Sequence, residues 1–358
     1  IAEAMEGASN LVGAFDVSTS VYSQSLSVAA KETDPNGIVF NPTGSKMFVT
    51  GTSSDAVNEY ALSVLFDVTT AVFTQSFSVS AQTLACRGLT FNPAGTEMFV
   101  VDGYYGGIRQ YTLSTGFDVS TTSYTRNFST ASQDGDPHGV AFNTDGTKMF
   151  VIGVASDSVN EYTLSSGFDI STSVFVDAFS IAAQETQPQD VVFNADGTKM
   201  FIVGVATDTV FQYTLSTGFD ASTASYDSVS FSVASQDTSP QGMTFSPDGT
   251  KLYIIGAQND SAYEYTVGTT TYTNQMNKTQ LDAVTDPNHI ALSNDLDLAI
   301  VLNLTSGTTV PSSNGVAINY DANIINKGAV LGTDYDYDAP AQNKVRFTAL
   351  AANNLKIR

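Results

Sequence analysis

Five polar residues stand about 51 positions apart in this chain, each directly before a residue that is glycine in four of the five cases. They are Asn36, Arg87, His138, Gln189 and Gln241. All five can donate hydrogen bonds, and Arg87 and His138 can also carry positive charge. If the fold brings them together, they predict a ligand-binding ring with Arg87 and His138 as its cationic edge. The alternative is a hydrated ring that binds nothing.

The spacing belongs to a repeat that the dipeptide Phe-Asp marks five times. Its copies begin at Phe15, Phe66, Phe117, Phe168 and Phe219. Repeat periods of about 20–50 residues are typical of solenoids, propellers and arrays. Each unit has four short apolar or alternating runs separated by turn residues, which indicates strands, and helical periodicity is absent. Four antiparallel strands per unit predict propeller blades, whose first strands would place the polar residues around one mouth of the central channel.

The turn after the first strand carries the most regular motif. In the last unit it is Ser246-Pro-Asp-Gly249, followed by Lys251 and an apolar run. Asn or Ser opens such a turn, and Gly ends it at backbone angles that other residues resist. The string resembles the Ser-Pro-Asp-Gly signature of YVTN and lactonase-type propellers, over roughly residues 15–272. The resemblance implies the fold and leaves function open, because such blades serve enzymes and binders alike.

We therefore expect an all-β chain: a β-propeller of five four-stranded blades, with six as the alternative, followed by a small β-sandwich. The predicted parts are an N-terminal segment (1–14), the propeller (15–279) and the C-terminal β-sandwich domain (280–358). Residues 22–28 should pair with the strand that ends at Tyr265, because closing the ring removes exposed strand edges. A sixth blade would use the stretch that begins at Thr285, which echoes the one at Thr33 but lacks the Asp-Gly turn.

The C-terminal segment follows a different pattern. Short strands are predicted at residues 298–304, 316–320, 329–331, 345–349 and 355–357. The run Asp334-Tyr-Asp-Tyr-Asp338 fits a strand with one wet face, and alternatively a cation or glycan contact. The segment resembles the Gly-Thr-Asp-Tyr and Val-x-Phe modules at the ends of phage tail-fibre and other virion proteins. The resemblance implies an assembly module, through which the chain would also form homo-oligomers.

Composition limits the classes of partner. The formal net charge is −22, from 14 basic and 36 acidic residues. A surface this negative disfavours nucleic acid and anionic membranes. No run of 18 apolar residues occurs, so membrane insertion is not expected. The single cysteine, Cys86, excludes an internal disulfide, and two histidines are too few for a His-based metal site.

Acidic residues stand just upstream of the polar ring, namely Glu32, Asp34, Asp134, Asp136, Glu185 and Asp237. Ca²⁺ takes about six to eight oxygen ligands, which a ring of loops could supply. No Asp-x-Asp-x-Asp-Gly loop is present, so solvated loop acids are the simpler interpretation, and no other cofactor is predicted. Two further sets of aspartates are interpreted as turn formers: Asp145, Asp196 and Asp248, and Asp55, Asp157, Asp208 and Asp260.

The second repeat departs from the others in three places. It has Asp102-Gly-Tyr-Tyr-Gly-Gly107 where other units have a Ser/Thr/Asp loop, and it has Cys86 where they have proline. It also carries Arg87. Tyr104 and Tyr105, set between glycines, suit stacking on a sugar or a protein contact. This repeat is the preferred place for a specific contact, although drift within a repeat is the plainer explanation.

Catalytic motifs are missing from the sequence. It contains neither a Gly-x-Ser-x-Gly elbow nor a His-Glu-x-x-His zinc motif. The sequence therefore predicts a non-enzymatic attachment protein on a virion, on a cell surface or in the extracellular space. The propeller would recognise glycan or neighbouring surface proteins. Two alternatives stay open: a lactonase-like or sugar-processing enzyme with its site at the channel mouth, and an architectural spacer.

Overall fold

The computed structural model describes residues 11–270 and three short strands farther along the chain, Ile300–Asn303, Thr348–Ala349 and Asn354–Ile357. Residues Gly13–Thr269 form one compact unit. This unit is a propeller of five blades, each a four-stranded antiparallel sheet, and its predicted fold class is confirmed. No helix among the described residues has the length and hydropathy needed to cross a membrane.

The blades are numbered in chain order, and their strands are given from the inner strand outward. Blade 1 consists of Pro35–Phe40, Lys46–Gly51, Ala56–Leu62 and Ala71–Ser78. Blade 2 consists of Cys86–Phe91, Glu97–Asp102, Gly107–Leu113 and Thr122–Ser129. Blade 3 consists of Pro137–Phe142, Lys148–Gly153, Ser158–Leu164 and Ser173–Ser180. Blade 4 consists of Pro188–Phe193, Lys199–Gly204, Thr209–Leu215 and Ala224–Ser232. Blade 5 consists of Pro240–Phe245, Lys251–Gly256, Ser261–Thr266 and Val21–Ser27.

The N-terminal strand closes the ring. Val21–Ser27 pairs antiparallel with Ser261–Thr266, and Tyr22 lies opposite Tyr265. The predicted closure is confirmed. Two further two-residue strands, Leu11–Val12 and Thr269–Thr270, flank the blades. The stretch that suggested a sixth blade lies outside the described residues.

The Phe-Asp dipeptide forms a sharp corner before the outer strand of each blade. A short 3-10 turn follows it at Val17–Thr19, Val68–Thr70, Val119–Thr121, Ile170–Thr172 and Ala221–Thr223. The phenylalanines hold positive φ, for example 58° at Phe66. In four copies the aspartate caps the turn, as when Asp67 accepts the Thr69 N–H at 3.0 Å. The repeated Phe-Asp dipeptide therefore has a structural role, which is to form the turn before the outer strand of each blade.

Neighbouring blades are joined through the same corner. Between blades 1 and 2, the rings of Phe48, Phe91 and Phe117 form a triad with centroid separations of 4.8, 5.3 and 6.2 Å. Glu59 of blade 1 accepts the backbone N–H of Val119 at 3.1 Å. Its other oxygen pairs with Lys46 Nζ at 2.7 Å. The hydrophobic clusters of the core draw residues from two neighbouring blades, so each blade depends on its neighbours.

The three C-terminal strands form a small antiparallel sheet with Asn354–Ile357 in the middle. Two of them fall within the predicted strands 298–304 and 345–349, and the third begins one residue before the predicted strand 355–357. The other two, at residues 316–320 and 329–331, and the Asp334-Tyr-Asp-Tyr-Asp338 run lie outside the described residues. The β-sandwich, the virion-type module and the domain boundaries therefore stay predictions.

Candidate functional site at the central channel

The inner strands of the five blades surround the central channel and come closest at their third position. Glycine holds this position in four blades. A side-chain carbon added to Gly88 would lie 2.5 Å from the His138 carbonyl oxygen, and one on Gly242 would lie 2.7 Å from the Asn36 carbonyl oxygen. At these two positions glycine avoids a clash with the backbone of the next inner strand. In blade 4 the same position holds Asp190.

On one side of this glycine level the channel widens into a cavity of about 340 Å³, here called the turn-mouth cavity. Its wall includes the half-buried residues two positions after the glycine: Val39, Thr90, Ala141, Val192 and Thr244. Its rim is built from the turns between inner and second strands, with Pro93, Asn143, Thr144, Asn194, Ala195, Ser246 and Pro247. A volume of this size suits a small molecule.

Asp190 is the one charged residue among the described residues that line this cavity. Its Oδ1 accepts the Val191 N–H at 2.9 Å, and its Oδ2 accepts the Met243 N–H of blade 5, also at 2.9 Å. Burial raises the pKa of Asp190 to about 7, against the lowering effect of these two N–H groups. A carboxylate oxygen can accept more than one hydrogen bond, so both oxygens keep capacity for a water or ligand.

The remainder of the described lining is neutral. It contains valine, leucine, phenylalanine, alanine, methionine and proline, together with Thr, Ser and Asn side chains. A carboxyl group whose pKa lies near neutrality can take a proton from water and return it to a leaving group. A catalytic metal site needs about three protein ligands, and this lining offers one carboxylate and neither His nor Cys. The cavity is therefore suited to general acid–base chemistry.

The five predicted ring residues stand at the second position of the inner strands, at the opposite or loop mouth. Three of them bond back to their own loops. Asn36 Nδ2 donates to the Asp34 carbonyl at 2.6 Å, Gln189 Nε2 to the Gln187 carbonyl at 3.1 Å and Gln241 Nε2 to Ser239 Oγ at 2.9 Å. Their role in binding stays a prediction.

Arg87 and His138 share a carboxylate at this mouth. Arg87 Nη1 lies 3.1 Å and His138 Nε2 lies 3.7 Å from Asp136 Oδ1. Burial, and then the charge of Arg87, lower the pKa of His138 to about 3, so the imidazole is neutral at physiological pH. The predicted cationic edge is therefore Arg87 alone. Among the described residues, the buried atoms His138 Nε2 and Gln189 Oε1 have no hydrogen-bond partner.

The acids upstream of the ring divide into two groups. Four are buried, each between 1% and 2% exposed: Glu32, Asp134, Glu185 and Asp237. Their carboxylates tie loops together; Asp237 accepts the N–H groups of Ser239, Gln258 and Asn259 at 2.8, 3.2 and 3.1 Å. The interpretation of these four as solvated is wrong, because loop N–H groups replace water. Asp34 and Asp136 are more exposed.

In blade 2 the loop is held by a different buried acid from those of the other blades. Its loop has Thr83 where blade 1 has Glu32, and the acid has moved to Asp102, which is fully buried and paired with Arg109. Asp102 also accepts the Tyr104 and Tyr105 N–H groups at 3.0 and 3.2 Å. The two tyrosine rings are exposed and 4.8 Å apart. Part of the sequence difference in blade 2 is thus structural, because Asp102 takes the place of the acid at the position of Glu32. Ligand binding by the two tyrosines stays a prediction.

One group of three carboxylates among the described residues is close enough to hold a metal ion. The oxygens of Glu161, Asp177 and Asp220 lie within 4.8 Å of one another. Glu161 is already engaged, by Lys148 Nζ at 2.7 Å and by the Ala221 N–H at 2.8 Å. The cluster therefore does not amount to a calcium site, and calcium stays an untested prediction.

The two sets of turn aspartates adopt the geometry expected of turn formers. Asp145 accepts the Thr147 N–H at 3.0 Å within its own turn. Asp157 has a φ of 47°, a left-handed conformation that Asp tolerates better than most residues. Neither set contributes to the cavity.

Asp190 is the residue that sequence reasoning missed. Its strand was recognised, but a blade-specific exchange of glycine for aspartate was not interpreted as a site. The signal was present: the position is glycine in four blades and a carboxyl in one. The resulting cavity lies at the turn mouth, whereas the predicted ring lies at the loop mouth.

No protein-family model and no curated protein sequence matches this chain. Solved structures do. A functionally unknown protein from Desulfotomaculum acetoxidans is 16% identical, with 62% of this chain and 65% of that chain covered at a TM-score of 0.41. A candidate 6-phosphogluconolactonase from Bacteroides uniformis is 16% identical, with coverage of 62% and 63% and a TM-score of 0.40. The periplasmic gluconolactonase of Pseudomonas aeruginosa is 15% identical, with coverage of 66% and 68% and a TM-score of 0.40.

The aligned part spans less than two thirds of the first of these proteins. Identities this low show no more than the propeller fold. Two of the three bear lactonase names, and the prediction that this chain is not an enzyme is wrong by that comparison. Any activity of this chain has to be argued from its own cavity.

Proposed function

We propose that this chain is a hydrolase that opens a lactone, a cyclic ester, in the turn-mouth cavity, with Asp190 as general base. The observation that carries the proposal is the lone carboxyl of Asp190, placed in the channel where the other four blades have glycine. The other four blades form the same strand without a carboxyl at this position.

The lining excludes other hydrolytic mechanisms for this cavity. Glycoside hydrolysis uses two carboxyl groups, and the described lining provides one. Phosphoryl transfer relies on cations that stabilise the phosphoryl oxygens, and Lys and Arg are missing from this lining. A metal-bound water would need ligands that are also missing. An ester needs only a base, a water molecule and a donor to the carbonyl oxygen.

The proton path is short. Asp190 takes a proton from water while the water oxygen bonds to the ester carbonyl carbon. The ring C–O bond then breaks, and the proton passes from Asp190 to the leaving oxygen, which gives a hydroxy acid. Thr90 and Thr244 in the wall provide hydroxyl donors for the carbonyl oxygen. The pKa of Asp190, about 7, suits a group that first accepts and then donates a proton.

The test compares the wild-type protein with Asp190→Asn on a panel of five- and six-membered sugar-acid lactones, with acid release followed in a pH-stat. General base catalysis contributes about 10²–10⁴-fold, so kcat/KM should fall by that factor in D190N. Asp145→Asn is the control, because Asp145 is an exposed turn aspartate outside the cavity. If D190N keeps wild-type activity, or if no lactone is turned over above the spontaneous rate, the proposal is refuted.

A further inference from the structure

We infer that the substrate of the turn-mouth cavity is an uncharged lactone and that phosphorylated or otherwise anionic lactones are excluded. This inference rests on the proposed function and adds the substrate class. It separates this chain from the phosphorylated substrate that the name of one structural neighbour indicates.

The first argument is the charge of the lining. Recognition of a phosphate group needs positive charge or several converging N–H donors. The described lining of the cavity contains no Lys, Arg or His, and its one charged group is the carboxyl of Asp190. A phosphate in a cavity of about 340 Å³ would lie close to that carboxyl, and no cation in the described lining would compensate for the repulsion.

No lysine belongs to the described lining, and two lysines of the second strands are already engaged. Lys148 Nζ pairs with Glu161 at 2.7 Å and donates to the Phe219 carbonyl at 2.6 Å, and Lys251 makes the same pair of contacts with Glu264 and Phe66, at 2.7 and 2.8 Å. These ammonium groups hold neighbouring blades together. Turning one toward a ligand would leave a buried glutamate without its partner, which is costly.

The second argument is the field of the whole chain. A formal net charge of −22 lowers the local concentration of anions around the molecule and raises that of neutral solutes relative to them. The same field acts on the product. Ring opening converts a neutral lactone into a hydroxy acid that is fully ionised at neutral pH, and the ionised Asp190 then repels it from the cavity. The negative charge therefore favours entry of the neutral substrate and release of the anionic product.

The neutral lining also fits the polar groups of a sugar ring. Thr, Ser and Asn side chains at the wall and rim offer both donors and acceptors to hydroxyl groups. Valine and phenylalanine side chains of the lining offer apolar surface for the carbon faces of the ring. The cavity thus has partners for hydroxyls and for C–H surface, and none for a phosphate.

The experiment measures kcat/KM of the purified protein on two matched substrates, glucono-δ-lactone and its 6-phosphate. We expect the neutral lactone to be preferred by at least about tenfold, and the ratio to shrink as salt screens the repulsion. Equal turnover, or preference for the phosphate, would overturn this inference while leaving the proposed function intact. Turnover of no lactone, in this pair or in the panel above, would overturn the proposed function and this inference with it.

A pair of variants tests the charge argument directly. Ala195→Lys adds a cation at the rim of the cavity, whereas Ala131→Lys adds the same charge at an exposed loop position outside the lining. A195K should raise kcat/KM for the phosphorylated lactone about tenfold relative to A131K, with little change for the neutral one. If A131K has the same effect as A195K, the local argument fails and only the overall charge matters.

Discussion

Replacing Asp177 by glutamine in blade 3 should stabilise the propeller. In blade 1 the equivalent residue is Gln75, whose Nε2 donates to Glu59 Oε2 and to Asp118 Oδ1, both at 2.8 Å. Gln24 makes the same bridge in blade 5. In blade 3 the donor is replaced by the third acid of the Glu161, Asp177 and Asp220 cluster, and Asp177 Oδ1 has no partner among the described residues. Asp220 is also the one corner aspartate whose carboxylate does not accept the cap N–H.

The magnitude follows from these contacts. Asp177→Gln would gain two hydrogen bonds to carboxylates and remove one repelling charge. For a half-buried site we expect about 1–2 kcal/mol in the free energy of unfolding. In a domain of this size that corresponds to about 2–8 °C in Tm. The reciprocal exchange, Gln75→Asp in blade 1, should lower Tm by a similar amount.

The pH dependence supplies a second check on the same variant. Burial, followed by the charge of Asp220, raises the pKa of Asp177 above 3.8. The folded state therefore binds this proton more tightly than the unfolded state, and the ionised carboxyl destabilises the fold above its folded pKa. The advantage of D177Q in Tm should be full at neutral pH and should shrink as pH falls through that pKa. The test is calorimetry of wild type, D177Q and Q75D at neutral pH and at a pH below the pKa of Asp177. An unchanged or lower Tm for D177Q at neutral pH would show that the glutamine bridge does not stabilise the propeller.

Three further results are expected. Arg109→Asn should lower the free energy of unfolding, measured by chemical denaturation, by about 3–5 kcal/mol, because it leaves the fully buried Asp102 without a cationic partner. The triple variant T83E/D102G/R109N, which gives blade 2 the residues of blade 1, should recover most of this loss. Asp208→Asn should raise the free energy of unfolding by about 0.5–1 kcal/mol at pH values above the raised pKa of Asp208, since its buried Oδ1 has no partner among the described residues. A gain that does not fall at low pH would contradict the raised pKa. Asp190→Asn should be more stable than wild type by up to about 4 kcal/mol at pH 9 and equal to it near pH 4, because the folded pKa of about 7 is far above 3.8; thermal melts across pH that run parallel for the two proteins would refute this.

The fold was predictable because every level of the sequence agrees. The Phe-Asp corner, the Asn-x-x-Gly or Ser-x-x-Gly turn and four apolar runs recur in each unit, and each demands a backbone geometry that few residues adopt. Closure by the N-terminal strand followed from counting outer strands. The link between blades did not follow, because the contact of Glu59 with Val119 joins residues 60 positions apart in sequence.

The candidate site was only partly predictable. The polar ring was placed correctly at one mouth of the channel, but its charge was not, since burial keeps His138 neutral. The upstream acids were taken as solvated, because a sequence does not show which loop N–H groups converge on a carboxylate. Four of them are in fact closed off from solvent.

Asp190 shows how a repeat protein exposes its own functional departures. The fold forms the inner strand four times with glycine, and at Gly139 an added side-chain carbon would lie 2.8 Å from the Asp190 Cα, so the position has little room. The carboxyl loses solvation at this position, and this loss raises its pKa to about 7 because the hydrogen bonds from two backbone N–H groups compensate only in part. The other four blades form this strand with glycine, so the strand does not depend on a carboxyl at this position. The comparison between blades therefore selects Asp190, whereas the four buried acids of the loops do not line the cavity.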